Sequence, residues 1–110
     1  MTDSEFLKLS ESTLRGIESA LEVALTSSEA DIECTLAGNI LEIEFIEKGS
    51  VIIVNSQSSM QEIWVAAPSG GSHFRHDKDV WIDTRTGVEL YTALSTVVSA
   101  AAGIDLVLAA

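Results

Sequence analysis

Five carboxylates fall into two short runs whose spacing lets them act together. Glu11, Glu18 and Glu22 recur with Lys8 and Arg15 at alternating steps of three and four, which on a helix is one row along the solvent side. Asp31 and Glu33 stand two apart in an alternating stretch, so both project from one face of a strand, roughly 6.5 Å apart along the chain. Such oxygens suit a hard cation such as iron, calcium or manganese. No EF-hand loop spacing is present, so the site would be shallow and weak. The bland alternative is a solvated helix side held by a Glu11–Arg15 ion pair. The adjoining acidic strand argues against it, because neutral polar residues would solvate a surface equally well without self-repulsion.

The other reactive types offer less. Cys34 points with Ile32 and Leu36 and reads as a small core residue rather than a nucleophile. His73 and His76 fall on opposite faces of a strand, so they do not share a metal. Gly70-Gly71 lacks the lysine and helix of a phosphate loop and is a turn. Trp64 is different. If Ile63 and Val65 face the core, Trp64 lies with Glu62 on the polar side of the sheet, where its apolar surface needs a cover, and a partner protein supplies one.

The elements that must position these groups follow from periodicity. Thr2 and Glu5 have capping-box spacing, and Phe6, Leu14, Ile17, Leu21 and Leu25 form one stripe, predicting a helix over 3–25. The period then changes to two. Residues 31–36 and 40–46 alternate around Gly38-Asn39 and predict a hairpin, and Glu42 and Glu44 face away from Leu41, Ile43 and Phe45. Residues 51–55 form a continuous apolar strand of the kind found near the middle of a sheet, and 61–67, 72–76 and 80–83 predict three more strands. At the last, Val80 and Ile82 compete with Trp81 for the core. Thr86 and Glu89 suggest a second capping box, opening a helix with Leu90, Leu94, Val97 and Ala101 inward and ending at Gly103. The apolar tail 104–108 is expected to pack along the helices. The predicted architecture is α+β: a two-layer sandwich with both helices on one face of an antiparallel sheet of about six strands. The other face, open to solvent, carries Glu42, Glu44, Asn55 and Trp64.

Composition narrows the function classes. The 110 residues include 17 acids and 6 bases, a net charge of -11, which disfavours nucleic acid and anionic membrane surfaces as partners. Eleven acids and two bases fall in residues 1–47, so the charge belongs to one side of one domain, 1–110. A 46% hydrophobic content with one proline excludes a disordered acidic tail. The longest uncharged stretch, 90–104, has fifteen residues, short of the ~20 that span a membrane. Asp3 and Glu5 stand where a signal peptide would be basic, so a cytoplasmic location is expected. One cysteine allows no internal disulfide and no multi-cysteine zinc site.

Several ordered pieces of the chain resemble the frataxins, in particular the bacterial CyaY family. They are Asp3-Ser4-Glu5-Phe6, Asn55-Ser56-Gln57, Ile63-Trp64 with Ala66, Ser69-Gly70-Gly71 before His73-Phe74, and the run from Trp81 through Asp83, Arg85 and Gly87 to Glu89-Leu90. The resemblance implies weak binding of ferrous and ferric iron on an acidic ridge made here by Glu18, Glu22, Asp31 and Glu33, with Glu11 flanking. It also implies docking on the cysteine desulfurase and scaffold of iron-sulfur cluster assembly, through a sheet surface made by Asn55, Gln57 and Trp64. The protein would act as iron donor or as regulator of the desulfurase, a monomer with iron-dependent oligomers as a further possibility. Ferroxidase and iron storage by the same carboxylates is the alternative the family implies. Ser19, Val23 and Thr26 stand where bacterial relatives often carry acids, so this ridge is thinner. Glu62 replaces a usual glutamine and Ser59 a usual proline.

Overall fold

A computed structural model describes residues 1–110. Helix α1 (Asp3–Leu25) is followed by strands β1 (Ile32–Ala37), β2 (Ile40–Phe45), β3 (Ser50–Gln57), β4 (Glu62–Ala67), β5 (Gly70–Asp77) and β6 (Val80–Asp83), then helix α2 (Leu90–Ala102). The strands form one antiparallel meander in chain order, and their connections are short enough that each strand pairs with its sequence neighbour. Both helices lie over one face.

Helix α1 starts where its capping box predicts, with Thr2 Oγ1 accepting from the Glu5 amide and Glu5 accepting from the Thr2 amide. Its stripe buries Phe6, Leu14, Ile17 and Leu21 against the inner residues of the strands, among them Leu41, Ile43, Phe45, Ile52, Val54, Ile63, Val65 and Phe74. At roughly 1.5–3 kcal/mol for each large side chain fully buried, this layer contact is the main force holding α1 on the sheet.

The contest in β6 goes to Trp81, which is 5% exposed, while Val80 turns out to solvent at 40%. Trp81 reaches under α1, where its indole N–H donates to Thr13 Oγ1 at 3.0 Å and its ring meets the Phe6 edge at 6.1 Å. Neither valine nor isoleucine offers that bond. The second capping box is not formed. Thr86 Oγ1 accepts from the Val88 amide, and Glu89 itself caps α2, its carboxylate taking the Tyr91 and Thr92 amides. Val98 is buried where Val97 was expected, because Leu90, Leu94 and Val98 repeat every four residues and follow one line on the sheet.

Gly103 ends α2 in the left-handed region at φ 75°. The tail then returns along the helix as expected, with Leu106 and Leu108 buried. Their amides donate to Ser99 and Ser95 Oγ, each at 2.9 Å. Two serines one helical turn apart, ~6 Å, match two alternate residues of an extended chain, ~6.8 Å. The hydroxyls therefore satisfy tail amides that have no strand partner.

Candidate functional site

The C-terminal half of α1 runs beside β1, the edge strand of the sheet. Glu18 and Glu22 stand on its solvent side near β1, close enough for both charges to act on Cys34, whose half-buried side chain faces the helices. Burial first, and those two carboxylates second, push the Cys34 thiol up to about 11. It stays a neutral thiol, as a core residue should. Asp31 and Glu33 are exposed on the opposite face of the same edge. The ridge therefore straddles β1, with two acids on the helix side and two on the open face.

Register adds a member to this cluster. The two-residue turn at Gly38-Asn39 pairs Ala37 with Ile40, and counting back places Glu33 directly opposite Glu44 and Thr35 opposite Glu42. Like charges directly across a ladder destabilise it. Of these acids only Glu11 has an ion pair, with Arg15 at 2.9 Å, on the exposed side of the helix. Glu18, Glu22, Asp31, Glu33, Glu42 and Glu44 have no basic side chain within ion-pair distance. No three histidine, cysteine or acidic side chains converge as a cage would require. The donors are hard oxygens spread over both sides of an exposed edge, which fits a weakly held cation better than a resident metal. Sequence reasoning placed Glu44 on the open face but not against Glu33, although the hairpin turn already determined that pairing.

Three strands from the edge, about 14 Å by strand spacing, the open face changes character. Asn55, Trp64 and His73 form one cross-strand row, and Gln57, Glu62 and Arg75 the next. Trp64 is half-buried rather than fully open. The His73 ring lies parallel to it, centroids 4.2 Å apart at 6°, so the cover assigned to a partner comes in part from the chain itself. The indole N–H donates to Glu62 Oε1 at 2.8 Å, Arg75 Nε donates to Glu62 Oε2 at 2.8 Å, and His73 Nδ1 lies 3.6 Å from Oε1. Glu62 is only 4% exposed although it points to the solvent side, because these three side chains lie over it. Burial would raise its pKa, but the Trp64 and Arg75 bonds, with the charges of Arg75 and His73, outweigh that and hold it below the usual carboxylate range. Gln57 and Asn55 flank this cluster half-buried, and His76 turns inward to meet Trp81 edge-on at 5.1 Å. The two histidines do face opposite ways.

An α1–β1–β2–β3–β4–β5–β6–α2 order with both helices on one face, an acidic edge and an aromatic open face define a frataxin-like protein. A family model for the frataxin-like domain matches residues 1–104, and this chain belongs to the frataxin family. It is 58% identical over 108 residues to the iron-sulfur cluster assembly protein CyaY of Janthinobacterium sp. strain Marseille, covering 98% of this chain and 96% of that one. It is 55% identical to the CyaY protein of Herminiimonas arsenicoxydans with the same coverage. Among solved structures, the frataxin of Psychromonas ingrahamii superposes with a TM-score of 0.82 at 28% identity, covering 100% of both chains. A trimeric frataxin from the yeast Saccharomyces cerevisiae, complexed with ferrous iron, superposes at 0.73 with 24% identity, covering 86% of this chain and 85% of the other, which supports the shared fold. No helix here is long and apolar enough to cross a membrane.

Proposed function

We propose that this protein serves iron-sulfur cluster assembly in the cytoplasm, binding ferrous or ferric iron weakly on the ridge of Glu18, Glu22, Asp31 and Glu33 and docking on the cysteine desulfurase. Its relatives named for cluster assembly support the process. The observation that carries the molecular reading is the Glu33–Glu44 pairing within a run of acids that lack basic neighbours. Surface charge that destabilises a fold is explained when a cation, or a basic patch on a partner, neutralises it in use. Iron is cargo in this reading, and other divalent cations compete for the same oxygens. Asn55, Gln57 and Trp64 form the second contact, with Trp64 as its aromatic anchor. Docking on the desulfurase alters its rate as well as presenting iron to the scaffold, and the chain works as an adaptor rather than an enzyme.

Ferroxidase and storage activity is the competing reading, and the dispersed arrangement of donors favours transient binding over it. Backbone NMR of one labelled sample tests the proposal, first with ferrous iron under anaerobic conditions and then with purified desulfurase. Iron should perturb residues 18–22, 31–33 and 42–44, and the desulfurase the same residues plus 55–64. Perturbations elsewhere on the surface refute the ridge. Stoichiometric iron-dependent oxygen uptake faster than buffer would establish the ferroxidase instead.

A further inference from the structure

Glu62 is a carboxylate 4% exposed on the outer side of a sheet, a place where acids normally stand in water. Around it converge three groups that anions attract: the Trp64 indole N–H, the Arg75 guanidinium and the His73 imidazole edge. Without the carboxylate, that constellation would be an anion-binding cradle, with a planar guanidinium and a neutral donor both aimed at the same place. We propose that Glu62 is a tethered anion filling this cradle, and thereby the positioning residue that sets the pose of Trp64 and the chemistry of the surface around it.

The consequences follow from the hydrogen bonds. The indole N–H is consumed inside the protein, so Trp64 offers a partner its ring and no donor. The ring is held against His73 at a fixed angle, which lowers the side-chain entropy lost when a partner packs on it. Arg75 spends its Nε–H on Glu62, which offsets its charge, while its side chain stays 62% exposed at the rim of the platform. Row neighbours Asn55 and Gln57 are neutral, and Ile53 and Ala66 lie on the same face in the adjacent row. The partner element suited to this surface is an apolar or aromatic side chain of a protein. The β1 edge repels acidic segments, and at the platform Glu62 offsets the one full positive charge, that of Arg75.

This deepens the docking role proposed above and rests on it, but its structural half is tested without any partner. The Glu62→Ala variant is compared with the parent by the indole N–H resonances, Trp64 being distinguished from Trp81 with Trp64→Phe. In Glu62→Ala the Trp64 proton should move upfield and exchange with water, while Trp81 and the backbone amides of the core stay in place. Formate is then added. A carboxylate entering the vacated cradle should return the Trp64 resonance toward its parental position saturably at millimolar concentration, and Glu62→Ala with Arg75→Met should lose that response. The parent protein should not respond to formate. An unmoved indole proton in Glu62→Ala, or a moved one that formate leaves unchanged, overturns the proposal.

Glu62→Gln guards against an unstable alanine variant. Its amide oxygen keeps an acceptor for the indole, so the Trp64 signal should stay near the parental position with no formate effect, and a formate response there also overturns the idea. For partner binding, Glu62→Ala should weaken desulfurase affinity about tenfold, the scale of losing a fixed hydrogen bond at an aromatic anchor, and formate should restore it. If the parent itself does not bind desulfurase, the docking proposal fails while the indole measurements still decide the role of Glu62.

Discussion

Replacing Glu44 by Gln should stabilise the protein, because it removes one half of a like-charge pair that the β1–β2 register forces together. Directly opposed residues have Cβ atoms about 5 Å apart, and such charge pairs change stability by roughly 0.2–1 kcal/mol. Coulomb's law at about 6 Å in water gives ~0.7 kcal/mol, before salt screening lowers it. A gain of about 0.5 kcal/mol at low ionic strength is therefore expected, a rise of about 2–4 °C in melting temperature for a domain of this size. Glu33→Gln should give a similar gain, and the double variant less than the sum, since either change alone abolishes the repulsion. The assay is thermal and urea unfolding by circular dichroism of all four proteins at low salt and again at about 0.5 M salt, where the Debye length falls to roughly 4 Å and the coupling should vanish. A divalent cation should raise the parent's melting temperature more than that of the double variant. Additive gains, or a coupling unchanged by salt, would show that the two carboxylates do not feel each other and would remove the physical basis of the ridge.

Three further outcomes are expected from the same structure. Asp83 is buried, and its Oδ1 accepts the Arg85 and Thr86 amides at 2.7 and 3.1 Å; burial works to raise its pKa, but these amide bonds outweigh it and lower the value below 3.8. Because the folded pKa is depressed, its contribution is present above the ordinary value and disappears as pH falls through the folded one. Asp83→Asn should therefore flatten the stability–pH curve below about pH 4, and Asp83→Ala should cost about 1–3 kcal/mol at pH 7 by leaving those amides unpaired. In the β5–β6 turn, Lys78 and Asp79 both hold positive φ, 49° and 72°. Asp79→Gly should stabilise by about 0.5 kcal/mol in urea unfolding, relief of the left-handed conformation exceeding the added entropy of glycine. A Cβ on Gly16 would stand 3.0 Å from the Tyr91 hydroxyl. Gly16→Ala alone should be near neutral, whereas in a Tyr91→Phe background it should gain about 1 kcal/mol from helix propensity, measured by the same unfolding curves.

What was legible in the sequence was whatever depends on neighbours along the chain. The stripe from Phe6 to Leu21, the Thr2 cap, the alternation in the first two strands and the Gly38-Asn39 turn are local patterns, and each forms as read. So is the row of Glu18 and Glu22. Even the opposition of Glu33 and Glu44 was implicit, since a two-residue turn admits one register.

Other features required three dimensions, because they arise where segments distant in sequence compete for the same space or share the same proton donors. Val80, Trp81 and Ile82 each have a claim on the core, and contacts from α1 decide for Trp81: the Phe6 ring and the Thr13 hydroxyl, the latter 68 residues away in the chain. Glu89 caps α2 because the Ile82–Glu89 bridge brings the chain into the helix at that residue, so Thr86 is left outside. Alternation within β4 places Glu62 on the polar side of the sheet and goes no further. The burial of Glu62 comes from Trp64 on its own strand and from His73 and Arg75 on the next, a grouping set by the β4–β5 register and invisible to any periodicity within β4. Periodicity tells which way a side chain points; which neighbours lie over it depends on the strand alongside, and that is settled only when the whole sheet assembles.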